Sequence, residues 1–171
     1  MIADTDPSER RSTRRGLLAV TGSAAAAATA GCLGSFTDAS SRVQRAEDPW
    51  RDIETGTEDG TAYRRGRVVL PDGTFAVEDI SVETFAIFAV EFETAGTPVD
   101  FIIFRKGEFN RYTEGDSTEY HDGSALNTVR ASKQTRLDPG EYQYVFDNTV
   151  YARASPDGQV EINFTAAARG G

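Results

Sequence analysis

The chain has 171 residues, with 18 Lys and Arg against 27 Asp and Glu, a net charge of −9, one cysteine and one histidine. That length leaves room for one domain with a real core once any leader is set aside. An acidic surface repels phosphates, so nucleic acid is excluded as a partner, and one cysteine excludes an internal disulfide framework or a cysteine-based zinc site.

Residues 1–32 read as an export signal. Arg10, Arg11, Arg14 and Arg15 form a basic start, and no charge follows from Gly16 to Gly31. This span is short and rich in alanine, whereas a stable spanning helix wants roughly 20 strongly apolar residues. A removed signal is therefore expected in place of a permanent membrane helix. Thr13-Arg14-Arg15-Gly16-Leu17-Leu18 resembles the twin-arginine export motif, with Arg14, Arg15, Leu17 and Leu18 as its signal residues. Thr29-Ala30-Gly31-Cys32 resembles a lipobox, although Thr29 stands where that pattern usually has a larger apolar residue. The resemblance implies a lipid on Cys32 and a protein held at the extracytoplasmic face of the cell membrane. The competing reading is cleavage by an ordinary signal peptidase within the alanine run.

Without the four arginines and three acids of the leader, 14 basic and 24 acidic residues remain, and lysine occurs only at Lys106 and Lys133. This balance resembles that of haloarchaeal proteins, which implies a carboxylate surface that holds water and cations at high salt. An ordinary acidic secreted domain is the alternative.

From Leu33 to Thr61 the composition is polar and no apolar period survives, so residues 33–61 are expected to be a flexible tether. Trp50 is its lone tryptophan, expected to fold back on the domain edge. Residues 62–166 are expected to form the domain, and 167–171 a disordered tail. Arg67 to Leu70 ends at the turn signal Pro71-Asp72-Gly73, and Thr74 to Val77 opens the next strand. Glu83 to Glu93 reads as a central strand, with Val99 to Phe104 as its hairpin partner across Ala95-Gly96-Thr97-Pro98. Long loops are expected from Arg105 to Gly123. Strands then follow at Thr128 to Leu137, Glu141 to Phe146 and Val160 to Phe164, with Asp138-Pro139-Gly140 as a turn. No segment after Cys32 has a helical apolar period. The expectation is an all-β chain, an antiparallel β-sandwich of jelly-roll or Ig-like type with about eight strands.

Leu137-Asp138-Pro139-Gly140-Glu141-Tyr142-Gln143-Tyr144-Val145-Phe146-Asp147-Asn148-Thr149 resembles the C-terminal signature of GOLD-type sandwich domains, and Val99 to Phe104 fits the same pattern. The resemblance implies protein or lipid contacts in place of catalysis. The cysteine pair of some family members is missing, so a cargo-receptor role does not carry over.

No cofactor is expected, and candidate chemistry is sparse. His121, with Asp122 beside it and Asp116 and Glu119 nearby, is a candidate metal ligand or general base; a solvated loop histidine is the plainer reading. Calcium needs only clustered oxygens, for which Asp116, Glu119 and Asp122, or Asp147, Asn148 and Asp157, are candidates. Asp147-Asn148 equally suits side-chain bonds to the backbone two residues on. Asn163-Phe164-Thr165 matches a glycosylation sequon, with Asn163 facing outward. Phe109, Tyr112 and Tyr151 are expected as exposed contact aromatics. The function expected is a membrane-tethered, non-enzymatic sandwich that contacts an unidentified protein, a glycan or the lipid surface. A solute- or ion-binding lipoprotein, or a small hydrolase built around His121, is the alternative.

Overall fold

A computed structural model describes residues 43–171. Arg14, Arg15, Leu17, Leu18, Cys32 and the first part of the expected tether lie outside the described residues. The strands are β1 (Gln44–Arg45), β2 (Trp50–Glu58), β3 (Thr61–Leu70), β4 (Thr74–Val82), β5 (Ala86–Thr94), β6 (Val99–Arg105), β7 (Ala125–Thr128), β8 (Arg130–Leu137), β9 (Gly140–Asn148) and β10 (Val160–Gly170), with one helix, α1 (Lys106–Glu114). They form two five-stranded sheets. Sheet A has the order β1-β4-β9-β6-β7 and sheet B the order β2-β3-β10-β5-β8. Every pairing is antiparallel except β1 with β4. The fold is thus the expected β-sandwich.

The inner faces meet in an aromatic core. Tyr142, Tyr144 and Phe146 of β9 alternate inward, as do Phe101 and Ile103 of β6, Phe88, Val90 and Phe92 of β5, and Ile162 and Phe164 of β10. Phe146 is fully buried. Its ring lies 5.2 Å from Phe101, 5.5 Å from Phe92 and 5.5 Å from Phe164, which ties two strands of sheet B to sheet A.

Several expectations are corrected. The expected tether 33–61 is too long: from Val43 onward the chain belongs to the fold, and β2 pairs with β3 along its length. Asp59 (φ 47) and Gly60 (φ 73) both adopt left-handed backbone, the type I′ turn that a two-residue Asp-Gly hairpin loop demands. Trp50 packs edge-on to Phe164 at 5.5 Å and Tyr144 at 6.5 Å, with the Arg64 guanidinium 4.8 Å over its ring. The expected tail 167–171 is ordered, because β10 continues between β3 and β5 and the Gly171 N–H reaches the Phe85 carbonyl at 3.2 Å. The hairpin expected from β5 to β6 does not form. Those strands lie in opposite sheets, and the turns at residues 71–73, 95–98 and 138–140 each carry the chain across the sandwich.

The region expected to be long loops holds α1. Gly115 (φ 80) closes it: the Gly115 N–H bonds the Tyr112 carbonyl at 3.0 Å and the Asp116 N–H the Arg111 carbonyl at 2.9 Å. Phe109 and Tyr112, three residues apart, share the helix face laid on the outer side of sheet A. There they meet Phe75, Val77, Ile102, Phe104 and Val145 in a second apolar cluster. Strands β6 and β9 of sheet A are therefore buried on both faces, whereas β4 keeps Asp79 and Ser81 exposed and β5 and β10 of sheet B alternate buried and open positions.

Because Phe146 bridges the sheets, Phe146→Ala should cost about 3–5 kcal/mol. Val150, 67% exposed, makes the control; Val150→Ala should stay within about 0.5 kcal/mol. Urea unfolding of both variants measures the difference, and equal losses would contradict the role given to Phe146.

Candidate functional site

The aromatics expected at a contact surface are interior. Tyr112 is fully buried and Tyr151 is 8% exposed, their rings 4.7 Å apart, and Phe109 is half-buried against Phe75 and Phe104. Hydrophobic burial claims them, since together with Val43, Tyr120, Leu126 and Ala152 they cover the apolar outer side of β6 and β9.

His121 is packed into its own loop. Its Nδ1 lies 2.8 Å from Asp122 Oδ1 and accepts the Gly123 N–H at 3.3 Å. The Thr135 hydroxyl donates to Asp122 Oδ1 at 3.1 Å, and the His121 N–H donates to the Ile103 carbonyl at 2.8 Å. The other candidate ligands do not converge on it. The Glu119 N–H is held by Glu108 at 2.9 Å, and the Asp116 carbonyl accepts the Tyr151 hydroxyl. In the second candidate set, the Asn148 amide donates to the Leu70, Pro71 and Gly158 carbonyls, and Asp147 Oδ1 accepts the Thr149 N–H at 2.8 Å, the side-chain-to-backbone closure two residues on. Among the described residues, no group of three His, Cys, Asp or Glu is placed to hold a metal ion.

The outer face of sheet B is a different kind of surface. Alternation along the strands turns Arg65 and Arg67 of β3, Asn163 and Thr165 of β10, Glu91 and Glu93 of β5, and Arg130 and Ser132 of β8 away from the core. The register aligns them in two rows, Arg67-Asn163-Glu93-Arg130 and Arg65-Thr165-Glu91-Ser132. Asp52 and Glu54 of β2 extend these rows and form one wall of a groove of about 580 Å³. Gly66 makes that wall possible. It faces the bulge between Arg51 and Glu54, where a Cβ would stand 2.8 Å from the Arg51 carbonyl oxygen and 2.9 Å from that of Asp52.

Cross-strand pairs order the walls. Arg65 grips both oxygens of Glu54 at 2.8 and 3.0 Å, and the Tyr63 hydroxyl adds a bond at 3.1 Å. The guanidinium, ahead of the phenol, holds the Glu54 carboxyl below its usual range. Arg67 joins Asp52 and Glu161, Arg130 joins Glu93 at 2.9 Å, and the Ser132 hydroxyl donates to Glu91 Oε1 at 3.0 Å. Exposed pairs add little stability; their effect here is to set side-chain positions. Asn163 and Thr165, both exposed on the groove floor, make no side-chain hydrogen bond among the described residues. The sequence reading isolated Asn163 as a sequon and missed the groove, because its rows join strands far apart in the chain.

A second polar group lies beneath the roof of sheet A. Asp100 of β6 and Asp147 of β9 are register partners, and both are fully buried. Asp100 accepts three backbone N–H groups, from Asn127 at 2.6 Å and from Arg153 and Ala154 at 2.8 Å each. Burial raises its carboxyl pKa against the pull of these bonds. Burial likewise pushes Asp147 up to about 7; the charge of Asp100 adds to the rise, while Thr149 and Tyr112 oppose it. The sequence marks Asp147 through the Asp147-Asn148 pair, and Asp100 only as a lone carboxylate within Val99-Asp100-Phe101-Ile102-Ile103-Phe104.

No family model matches the chain, and no curated protein sequence matches it. Among solved structures, it is similar to the pre-peptidase C-terminal domain of a collagenase from Bacillus anthracis, at 12% identity and a TM-score of 0.37, over 58% of this chain and 88% of that one. It is also similar to the C-terminal CBM6 of LamC, a marine laminarinase from Zobellia galactanivorans, at 12% identity and a TM-score of 0.26, over 70% and 90% of the two chains.

The pKa of Asp147 has a consequence for stability. Between its ordinary value near 4 and about 7, the folded protein binds a proton that the unfolded chain has released. Stability is therefore lost as pH rises through that window, by up to about 4 kcal/mol. Asp147→Asn keeps an acceptor for the Thr149 N–H and has no proton to lose. Urea unfolding at pH 5 and pH 8 should show the wild type weakening more than the variant, in which only the raised carboxyl of Asp100 remains to lose its proton; an equal loss in both would refute this assignment.

Proposed function

We propose that this chain is an extracytoplasmic, membrane-tethered, non-enzymatic β-sandwich that binds its partner through the outer face of sheet B. One observation carries the reading: the central strands of sheet A, β6 and β9, are covered on both sides, whereas sheet B presents a groove whose charged walls are set by cross-strand pairs and whose floor residues are unengaged. An ordered, uncommitted polar surface suits recognition, because little ordering is left to be lost on binding. The GOLD-like segment 137–149, which forms β9 and its flanks, supports binding in place of catalysis.

The twin-arginine and lipobox resemblances support the address. A lipid on Cys32 would sit 11 residues before Val43, the first residue that the structure describes. At about 3.3 Å per residue that stretch of chain spans at most roughly 36 Å, which would keep the domain near the lipid surface. In this reading Asn163 stays unmodified, since a glycan on the floor of the groove would occupy it.

Two measurements test the proposal. Thr165→Arg should reduce capture of the partner from host membranes at least tenfold while leaving the melting temperature unchanged; equal capture by wild type and variant would remove the groove from the reading. For the address, paired replacement of Arg14 and Arg15 by Lys should stop export, and Cys32→Ser should release the protein into the medium or leave the precursor uncleaved. Normal membrane retention of both variants would falsify the anchor.

A further inference from the structure

The charges of the groove on sheet B define which ligand chemistry it can accept. Its lining has four acids, Asp52, Glu54, Glu91 and Glu93, against three arginines, Arg65, Arg67 and Arg130. Each arginine is already held by a carboxylate of this chain: Arg65 by Glu54, Arg67 by Asp52 and Glu161, and Arg130 by Glu93. A phosphate, sulfate or acidic peptide would have to break one of these pairs against a lining that is negative by one charge. An apolar ligand finds no platform. The aromatic residues of the lining, Phe92 and Phe164, are 3% and 4% exposed and point into the core.

What remains is a set of hydrogen-bonding groups on the two central strands. Asn163 faces Glu93 and Thr165 faces Glu91 across adjacent strands, about 4.8 Å apart in the pairing direction. Glu91 commits one oxygen to Ser132, and Glu93 one to Arg130. Each keeps a second oxygen that only accepts, while the Asn163 amide and the Thr165 hydroxyl both donate and accept. A ligand that satisfies all four must donate at two points, exchange donor and acceptor roles at two more, and carry no net charge. Adjacent hydroxyl groups on a sugar do this. An amine meets the carboxylates but leaves the amide carbonyl and hydroxyl poorly matched, and it would lie between the carboxylates and the cationic wall formed by Arg65 and Arg67.

We infer that the groove binds a neutral, polyhydroxylated ligand, a glycan segment, through Asn163, Thr165, Glu91 and Glu93, with the arginines acting as fixed walls. This rests on the reading of sheet B as the binding surface and adds the class of ligand. Recognition is by hydrogen bonds without ring stacking, so binding is insensitive to salt, in contrast to contacts carried by unpaired charges.

The test is titration calorimetry on the full chain in detergent, against a panel of neutral oligosaccharides, a sulfated heparin fragment and spermine. At least one neutral oligosaccharide should bind saturably, with affinity unchanged between about 0.1 and 1 M salt. Asn163→Ala and Glu91→Gln should each weaken it at least tenfold, and Glu114→Gln, on the helix that covers the other sheet, should leave it unchanged. Binding of heparin or spermine that Asn163→Ala abolishes, with no neutral oligosaccharide bound, overturns the ligand class and leaves the binding face standing. Neutral oligosaccharide binding that survives both groove variants overturns the inference and the face together. If no probe binds, the glycan inference fails, and the capture experiment with Thr165→Arg decides the face independently.

Discussion

Contact between the Phe146 ring and the rings of Phe92, Phe101 and Phe164 joins the two sheets, and the rest of the molecule is arranged by the strand that carries it. Strand β9 has to satisfy two interiors at once. Its even-numbered residues, Tyr142, Tyr144 and Phe146, fill the space between the sheets, while Val145 and Asp147 lie beneath α1 and the segment after β9. Once β9 and its neighbour β6 are buried on both sides, the outer side of sheet A requires a roof, and Phe109 and Tyr112 provide it. Burial of apolar area is the driving force. The polar residues of these strands are then drawn inside, where Asp100 has to be satisfied by backbone N–H groups from two separate segments.

Sheet B follows from the opposite pattern. Strand β10 alternates Ile162 and Phe164 with Glu161, Asn163 and Thr165, so one side joins the core and the other stays in water. Its flanking strands bring charges of both signs into register. In a chain with an excess of carboxylates, pairing each arginine of the groove leaves the acids partly in surplus, and the surplus falls on β5 beside the neutral residues of β10. The asymmetry between a roofed sheet and an open one is thus already present in the difference between a continuous apolar strand, β6, and an alternating one, β10.

Much of this was legible in the sequence, and the failures have physical causes. The strands from Arg67 onward, apart from β7, and the positions of the turns could be read from alternation and from Pro-Asp-Gly, Asp-Pro-Gly and Ala-Gly-Thr-Pro. Their partners could not, because a turn signal says that the chain reverses and leaves open whether it pairs with its neighbour or crosses to the other sheet. Strand β2 was hidden by its polarity, which belongs to an edge strand with little burial, although Asp59-Gly60 carried a strong hairpin signal. Helix α1 is too short for its two apolar residues to define a period; the glycine after Glu114 was its clearest mark. The buried Asp100–Asp147 pair and the groove were out of reach, since each depends on a register between distant strands.

Asn163 shows how the proposed address and the proposed site constrain one another. A twin-arginine signal is associated with export of folded chains, and in the fold Asn163 lies in the middle of β10, with β3 hydrogen-bonded on one side and β5 on the other. Its side chain is exposed, yet its backbone is held extended by both ladders, so a modifying enzyme would have to take the sequon as a fixed strand in the centre of a sheet. Loops and chain ends are where such enzymes find backbone they can bend. Export after folding, as the proposed address implies, would therefore work against a glycan on Asn163 and would leave the amide free on the groove floor. If the chain were instead exported unfolded, the sequon would pass the enzyme before β10 pairs, and an attached glycan would sit where the free ligand is proposed to bind. The proposed route of export and the proposed use of the groove are thus linked through one residue, even though that residue has no part in the twin-arginine resemblance itself.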